Sequence, residues 1–124
     1  MRLFPNNAFA NYWKMWNEPD MSLVRQYLDD AVTENFIFCD PNDHHSGRDA
    51  LEANVRGFRS KYRDAVFVMA SGFDTHHDRV RYRWDLTIRG KVYVEGLDIA
   101  TVSEGGLIER IDGFFGDLPP LAAD

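Results

Sequence analysis

Cysteine is almost missing from this chain. Cys39 stands alone, so no internal disulfide can form, which fits a reducing compartment. Also missing is any run of Lys and Arg, and the net charge of -6 repels phosphate backbones and anionic lipid. Nucleic acid and membrane surfaces are therefore not expected partners. No apolar stretch approaches the length of a bilayer span. Residues 1–16, with Pro5, Asn6, Asn7, Asn11 and Lys14, lack the apolar core and cleavage site of a signal peptide. The expectation is a soluble cytoplasmic protein. Repeats, low-complexity stretches and linkers are lacking too, and 124 residues suit one domain over 1–124, with 117–124 a loose tail behind Pro119 and Pro120.

What the chain does have is aromatic residues, 14% of the total, rigid groups that fill cores and line ligand cavities. Phe9, Tyr12, Trp13 and Trp16 follow the i, i+3, i+4, i+7 spacing of a helical face that stops near Pro19. Asp20 can cap a second helix with Leu23, Val24, Tyr27 and Leu28 inward. Residues 32–40 alternate as a strand, with Phe36, Phe38 and Asp40 on one face. After a polar loop over 41–45, Ser46-Gly47-Arg48-Asp49 resembles a capping box for a third helix carrying Leu51, Val55, Phe58 and Tyr62. Strands are expected over 65–76, 79–89, 91–102 and 107–115. Helices first, then a meander, is an α+β order: a curved antiparallel sheet wrapped around three helices, leaving a pocket wherever the helices fail to fill it.

Two acids interrupt the apolar runs. Asp40 closes Phe36-Ile37-Phe38-Cys39, and Asp98 sits within residues 92–102, which otherwise read as a half-buried strand. Burying a charge costs several kcal/mol unless it is paired or neutralised, so acids in phase with apolar side chains need a reason. For Asp40 a turn role before Pro41 competes with a pocket role. For Asp98 two registers are open. A two-residue turn at Arg89-Gly90 sets it opposite Arg81 as an outward ion pair. A longer loop or a bulge, helped by Gly96, sets it opposite Tyr82 and beside Trp84 in the interior.

Tyr12 ahead of Asp20, Asp40-Pro41, Gly47, Gly96-Leu97-Asp98 and Phe114-Phe115-Gly116, in that order along nearly the whole chain, resemble the nuclear transport factor 2-like (NTF2-like) superfamily in its SnoaL-like and ketosteroid isomerase-like branch. The resemblance implies a cone-shaped α+β barrel that forms homodimers, with no cofactor. It also implies catalytic roles: Asp40 as the proton-shuttling base, with Asp98 and Tyr12 donating hydrogen bonds to an enolate oxygen. The indoles of Trp13, Trp16 and Trp84 depart from the isomerase pattern and are expected to shrink the cavity below steroid size. Arg83, Asp85 and Asp112 resemble the water-activating set of limonene epoxide hydrolase, although alternation sets Arg83 and Asp85 on the face opposite Trp84.

His44, His45, His76 and His77 with Cys39 and Asp78 show no metal-binding spacing, and adjacent strand residues point apart, so no metal is expected. One inward histidine near Asp40 or Asp98 is the better expectation, with His76 and His77 as its candidates. The expected pocket lining is Trp13, Trp16, Phe38, Phe58 and Tyr62 from the first half of the chain. From the second half come His76, His77, Trp84 and Phe114. The ligand would be small, apolar and oxygen-bearing. Three functions follow: acid-base enolisation of an apolar carbonyl compound by isomerisation, cyclisation or dehydration; a non-catalytic module for a hydrophobic ligand; and a dimeric scaffold whose cavity is filled.

Overall fold

The computed structural model describes residues 3–123. Met1 and Arg2, at the start of residues 1–16, and Asp124, at the end of the expected 117–124 tail, lie outside the described residues. Asn6 opens helix α1 (Asn7–Asn17) by accepting the Phe9 amide on its side chain, a standard N-cap. The buried stripe is Ala8, Phe9, Tyr12 and Met15. Asp20 caps a single 3-10 turn, Met21–Leu23, which runs into α2 (Val24–Ala31). Strand β1 (Val32–Cys39) follows, then a short β2 (His44–Ser46) within the expected polar loop.

Helix α3 (Arg48–Lys61) begins without the expected capping box. Its N-cap is Gly47, whose φ of 89° is open to glycine and strained for other residues. The Gly47 amide donates to the Phe36 carbonyl at 2.7 Å, turning the chain back under β1. The expected 65–76 strand is two pieces, β3 (Ala65–Met69) and β4 (Asp74–His76), followed by β5 (Arg79–Ile88), β6 (Lys91–Val102) and β7 (Ile108–Phe115). The curved, unclosed sheet of seven strands runs in the order β2-β1-β7-β6-β5-β3, with β4 also on β5. It is antiparallel except where β1 lies parallel to β7.

The three helices cover the concave face. Met15, Leu28, Leu51, Phe36, Ile108 and Ile111 are fully buried there, each stabilising the fold by about 1.5–3 kcal/mol. Asn17 ties the end of α1 to the sheet's edge. Its Nδ2 donates to the Phe67 carbonyl at 3.1 Å, and its Oδ1 accepts the Phe67 amide at 2.8 Å. That clamp holds the aromatic face of α1 over β3 and β5.

Candidate functional site

Both registers considered for Asp98 turn out to be partly right. Ile88 pairs with Lys91 around a two-residue turn, with Arg89 at φ 53° and Gly90 at φ 79°, the left-handed pair such hairpins require. The ladder then slips between Leu86 and Thr87, where Leu86 pairs with Val94 but Thr87 with Val92. Tyr93 is the extra residue, and the bulge turns Asp98 to the inner face opposite Tyr82. Gly96 has a different task. A Cβ there would lie 2.1 Å from the Trp84 indole, so its absence lets the ring lie over the strand.

Asp98 is 9% exposed, and Tyr82 donates its hydroxyl to the Asp98 Oδ2 at 3.1 Å. Burial pushes the Asp98 pKa up to about 7; the Trp84 indole and the Tyr82 hydroxyl offset part of this, and the charge of Asp40 adds to it. Burial likewise holds the Tyr12 and Tyr82 phenols well above their ordinary range, reinforced by Asp98. Asp40 closes β1 and fixes the 40–43 turn. Its Oδ1 accepts the amides of Asn42 at 2.9 Å and Asp43 at 2.8 Å. The turn role and the inward position therefore coexist. The two acids meet across Gly113, where an added Cβ would come 2.9 Å from Asp98 Oδ1 and 3.2 Å from Asp40 Cβ.

Both acids line a cavity of about 130 Å³, near the ~150 Å³ of apolar cavities that accept benzene. Tyr12, Asp40 and Asp98 all line it, as do Trp13, Trp16, Phe38, Phe58 and Trp84. Trp16 is the hub of one wall, with ring centroids 6.1 Å from Phe38, 5.9 Å from Phe58 and 5.6 Å from Phe67. Asn42 and Asp43, both exposed, mark the mouth.

Four expected lining residues lie elsewhere. Gly113 occupies the inward position of β7, so alternation turns Phe114 out to 60% exposure and brings Phe115 to the cavity. Tyr62 is the C-cap of α3, 40% exposed, its ring 5.4 Å from Phe58 and beyond the lining. His76 and His77 are exposed around the β4–β5 turn, paired Nδ1 to Nδ1 at 3.1 Å. Arg83, Asp85 and Asp112 share the outer face, where Asp112 accepts Arg110 at 2.8 Å, so the epoxide hydrolase-like set does not reach the cavity.

The histidine beside the acids is His45. It pairs with Phe38 across β1 and β2, stacks on that ring at 5.1 Å and 9°, and sets Nε2 3.1 Å from Asn54 Nδ2. Burial lowers its pKa against the pull of Asp43 and Asp40. A strand as short as β2 gives too little alternation to reveal this from sequence. Tyr82 was legible only through the bulged register. Among the described residues, no three His, Cys, Asp or Glu side chains converge to hold a metal ion.

No protein-family model matches the chain, and no curated protein does at a significant level. Solved structures do. A candidate isomerase of the SnoaL-like family from Agrobacterium tumefaciens aligns with a TM-score of 0.83 at 27% identity, over 89% of this chain and 95% of that one. An NTF2-like protein of unknown function from Exiguobacterium aligns with a TM-score of 0.74 at 19% identity, over 90% and 99%. A candidate polyketide cyclase from Sinorhizobium meliloti aligns with a TM-score of 0.69 at 14% identity, over 87% and 94%. The fold is the NTF2-like α+β fold, and its neighbours are SnoaL-like and NTF2-like proteins. No helix among the described residues is long and apolar enough to cross a membrane.

Proposed function

We propose that this protein is a small-molecule enzyme that enolises an apolar carbonyl compound. Asp40 removes a proton from the carbon next to the carbonyl. Protonated Asp98 and Tyr12 donate hydrogen bonds to the oxygen that becomes the enolate. Returning the proton to another carbon completes an isomerisation; attack by the enolate carbon on a second carbonyl of the ligand, whose oxygen takes the proton held by Asp40, gives cyclisation, and loss of a β-hydroxyl as water with that same proton gives dehydration. The observation that carries this reading is Asp98, a buried carboxyl facing Asp40 across Gly113 with open space beside both. Tyr82 then acts as a positioning residue, holding the Asp98 carboxyl by its hydroxyl. The candidate SnoaL-like isomerase and the candidate polyketide cyclase among the neighbours support the reading by analogy of fold.

The test is solvent deuterium exchange into the α-carbon of small cyclic enones, followed by NMR. Asp40→Asn is expected to slow exchange by roughly 10²–10⁴-fold, the usual worth of a positioned acid-base group. Exchange by the wild type no faster than by Asp40→Asn excludes the chemistry. A non-catalytic binding module is favoured by one observation, the use of Asp40 Oδ1 by two turn amides; it predicts saturable binding with no exchange. The same proposal includes a homodimer formed through the outer sheet face, where Val66, Val68, Tyr93 and Phe114 are exposed. It also places the protein in the cytoplasm, in keeping with the lone Cys39.

A further inference from the structure

The mouth of the cavity is built on a turn that fixes the position of one carboxylate. The Asp43 amide donates to Asp40 Oδ1 at 2.8 Å, and the Asp43 carbonyl accepts the Asp40 amide at 2.9 Å. Both bonds use the Asp43 backbone, so its side chain is not needed to hold the turn. Asp43 is exposed and also lines the cavity, and among the described residues no hydrogen bond or ion pair reaches its carboxylate. His45 is close enough for Asp43 and Asp40 to favour its charged form, but burial outweighs them and lowers its pKa. Near pH 7 no imidazolium neutralises the mouth.

Inward of Asp43 the walls are rings. Nine of the sixteen lining residues are aromatic, and among the described residues no Lys, Arg or His lines the space. Aromatic faces attract a cation, whereas carboxyl groups with no cation beside them repel an anion. The net charge of -6 draws small cations toward the protein in the same sense. A cavity of about 130 Å³ is filled by about one ring, which leaves a charged substituent of that ring at the mouth. We propose that Asp43 is a specificity-determining residue, binding the protonated nitrogen of a small amine whose single ring occupies the aromatic interior. The nitrogen is held by Asp43 and not by Asp40, whose basicity an adjoining cation would lower. The proposal rests on the ligand-pocket part of the reading above. The carbonyl compound then carries a basic nitrogen at the end of its ring that faces the mouth.

The experiment compares three one-ring compounds by titration NMR near neutral pH: cyclohexylamine as its cation, cyclohexanol and cyclohexanecarboxylate. The wild type is expected to bind the amine about tenfold more tightly than the alcohol, and the carboxylate most weakly. Asp43→Asn, which keeps the backbone bonds of the turn, should lower the amine-to-alcohol ratio by about threefold. Raising sodium chloride from about 0.02 M to about 0.5 M should lower the wild-type ratio as well, because the screening length shrinks severalfold. This second arm needs no variant and decides the matter if Asp43→Asn does not fold; a ratio indifferent to salt counts against the carboxylate. An amine bound no more tightly than the alcohol overturns the proposal and leaves the pocket reading intact. A preference for the amine that survives Asp43→Asn unchanged overturns the role of Asp43. No binding of any of the three overturns the pocket reading and the proposal together.

Discussion

A carboxyl that binds protons more tightly folded than unfolded makes stability depend on pH, and Asp98 is such a group. Its pKa rises from 3.8 to about 7 on burial. Below about pH 4 it is protonated in both states and adds no penalty. Between there and about 7 the unfolded chain releases the proton first, so stability falls, by about 4 kcal/mol in all. Asp98→Asn removes this titration and keeps a partner for the Tyr82 hydroxyl. Urea unfolding at pH 5 and pH 8.5 is expected to show the variant gaining on the wild type by several kcal/mol at the higher pH; a pH-independent difference contradicts the buried titration. Exchange activity should also decline as pH rises through about 7, because ionised Asp98 has no proton to donate. Gly113→Ala tests the gap between the acids: its methyl would press on Asp98 Oδ1 at 2.9 Å. At least a tenfold loss of ligand affinity is expected by titration NMR, with the fold retained.

At the scale of elements, helices and long strands were legible because their patterns repeat. The α1 face of Phe9, Tyr12 and Trp16 and the Phe36, Phe38, Asp40 face of β1 each repeat enough to show their period. What was hidden depended on single residues. One extra residue at Tyr93 decides whether Asp98 faces Tyr82 or Arg81, and composition does not mark it. Gly113 reverses the facing expected for Phe114, and β2 is too brief to show alternation. Gly96 suggests a possible bulge in the sequence, but its contact with Trp84 is between strands and emerges only once the register is set. Gly96→Ala is expected to cost about 1–3 kcal/mol by displacing the indole. Urea denaturation would reveal it, with Trp84 fluorescence reporting the displacement; a loss below about 0.5 kcal/mol would mean the ring is not held there.

For the molecule as a whole, the division between the two sheet faces organises everything else. The concave face holds the acids, Trp84 and the cavity. The convex face carries Val66, Val68, Tyr93 and Phe114 with Arg83 and Asp112 among them. If copies associate through that convex face, Phe114→Glu should convert dimer to monomer in analytical ultracentrifugation while leaving enone binding within about twofold. Unchanged sedimentation would remove the outer face from the assembly. The sequence pointed to the two-faced plan and to most of the cavity wall, because alternation and aromatic spacing carry that information. It could not convey the dryness around Asp98, which depends on α1, β1, β5 and β7 closing together. That dryness is the central claim, and its most direct test is a carbon-13 NMR titration of the Asp98 side-chain carboxyl in the wild-type protein. A midpoint at about 7 is the predicted result, and a midpoint in the ordinary range near 4 would contradict it.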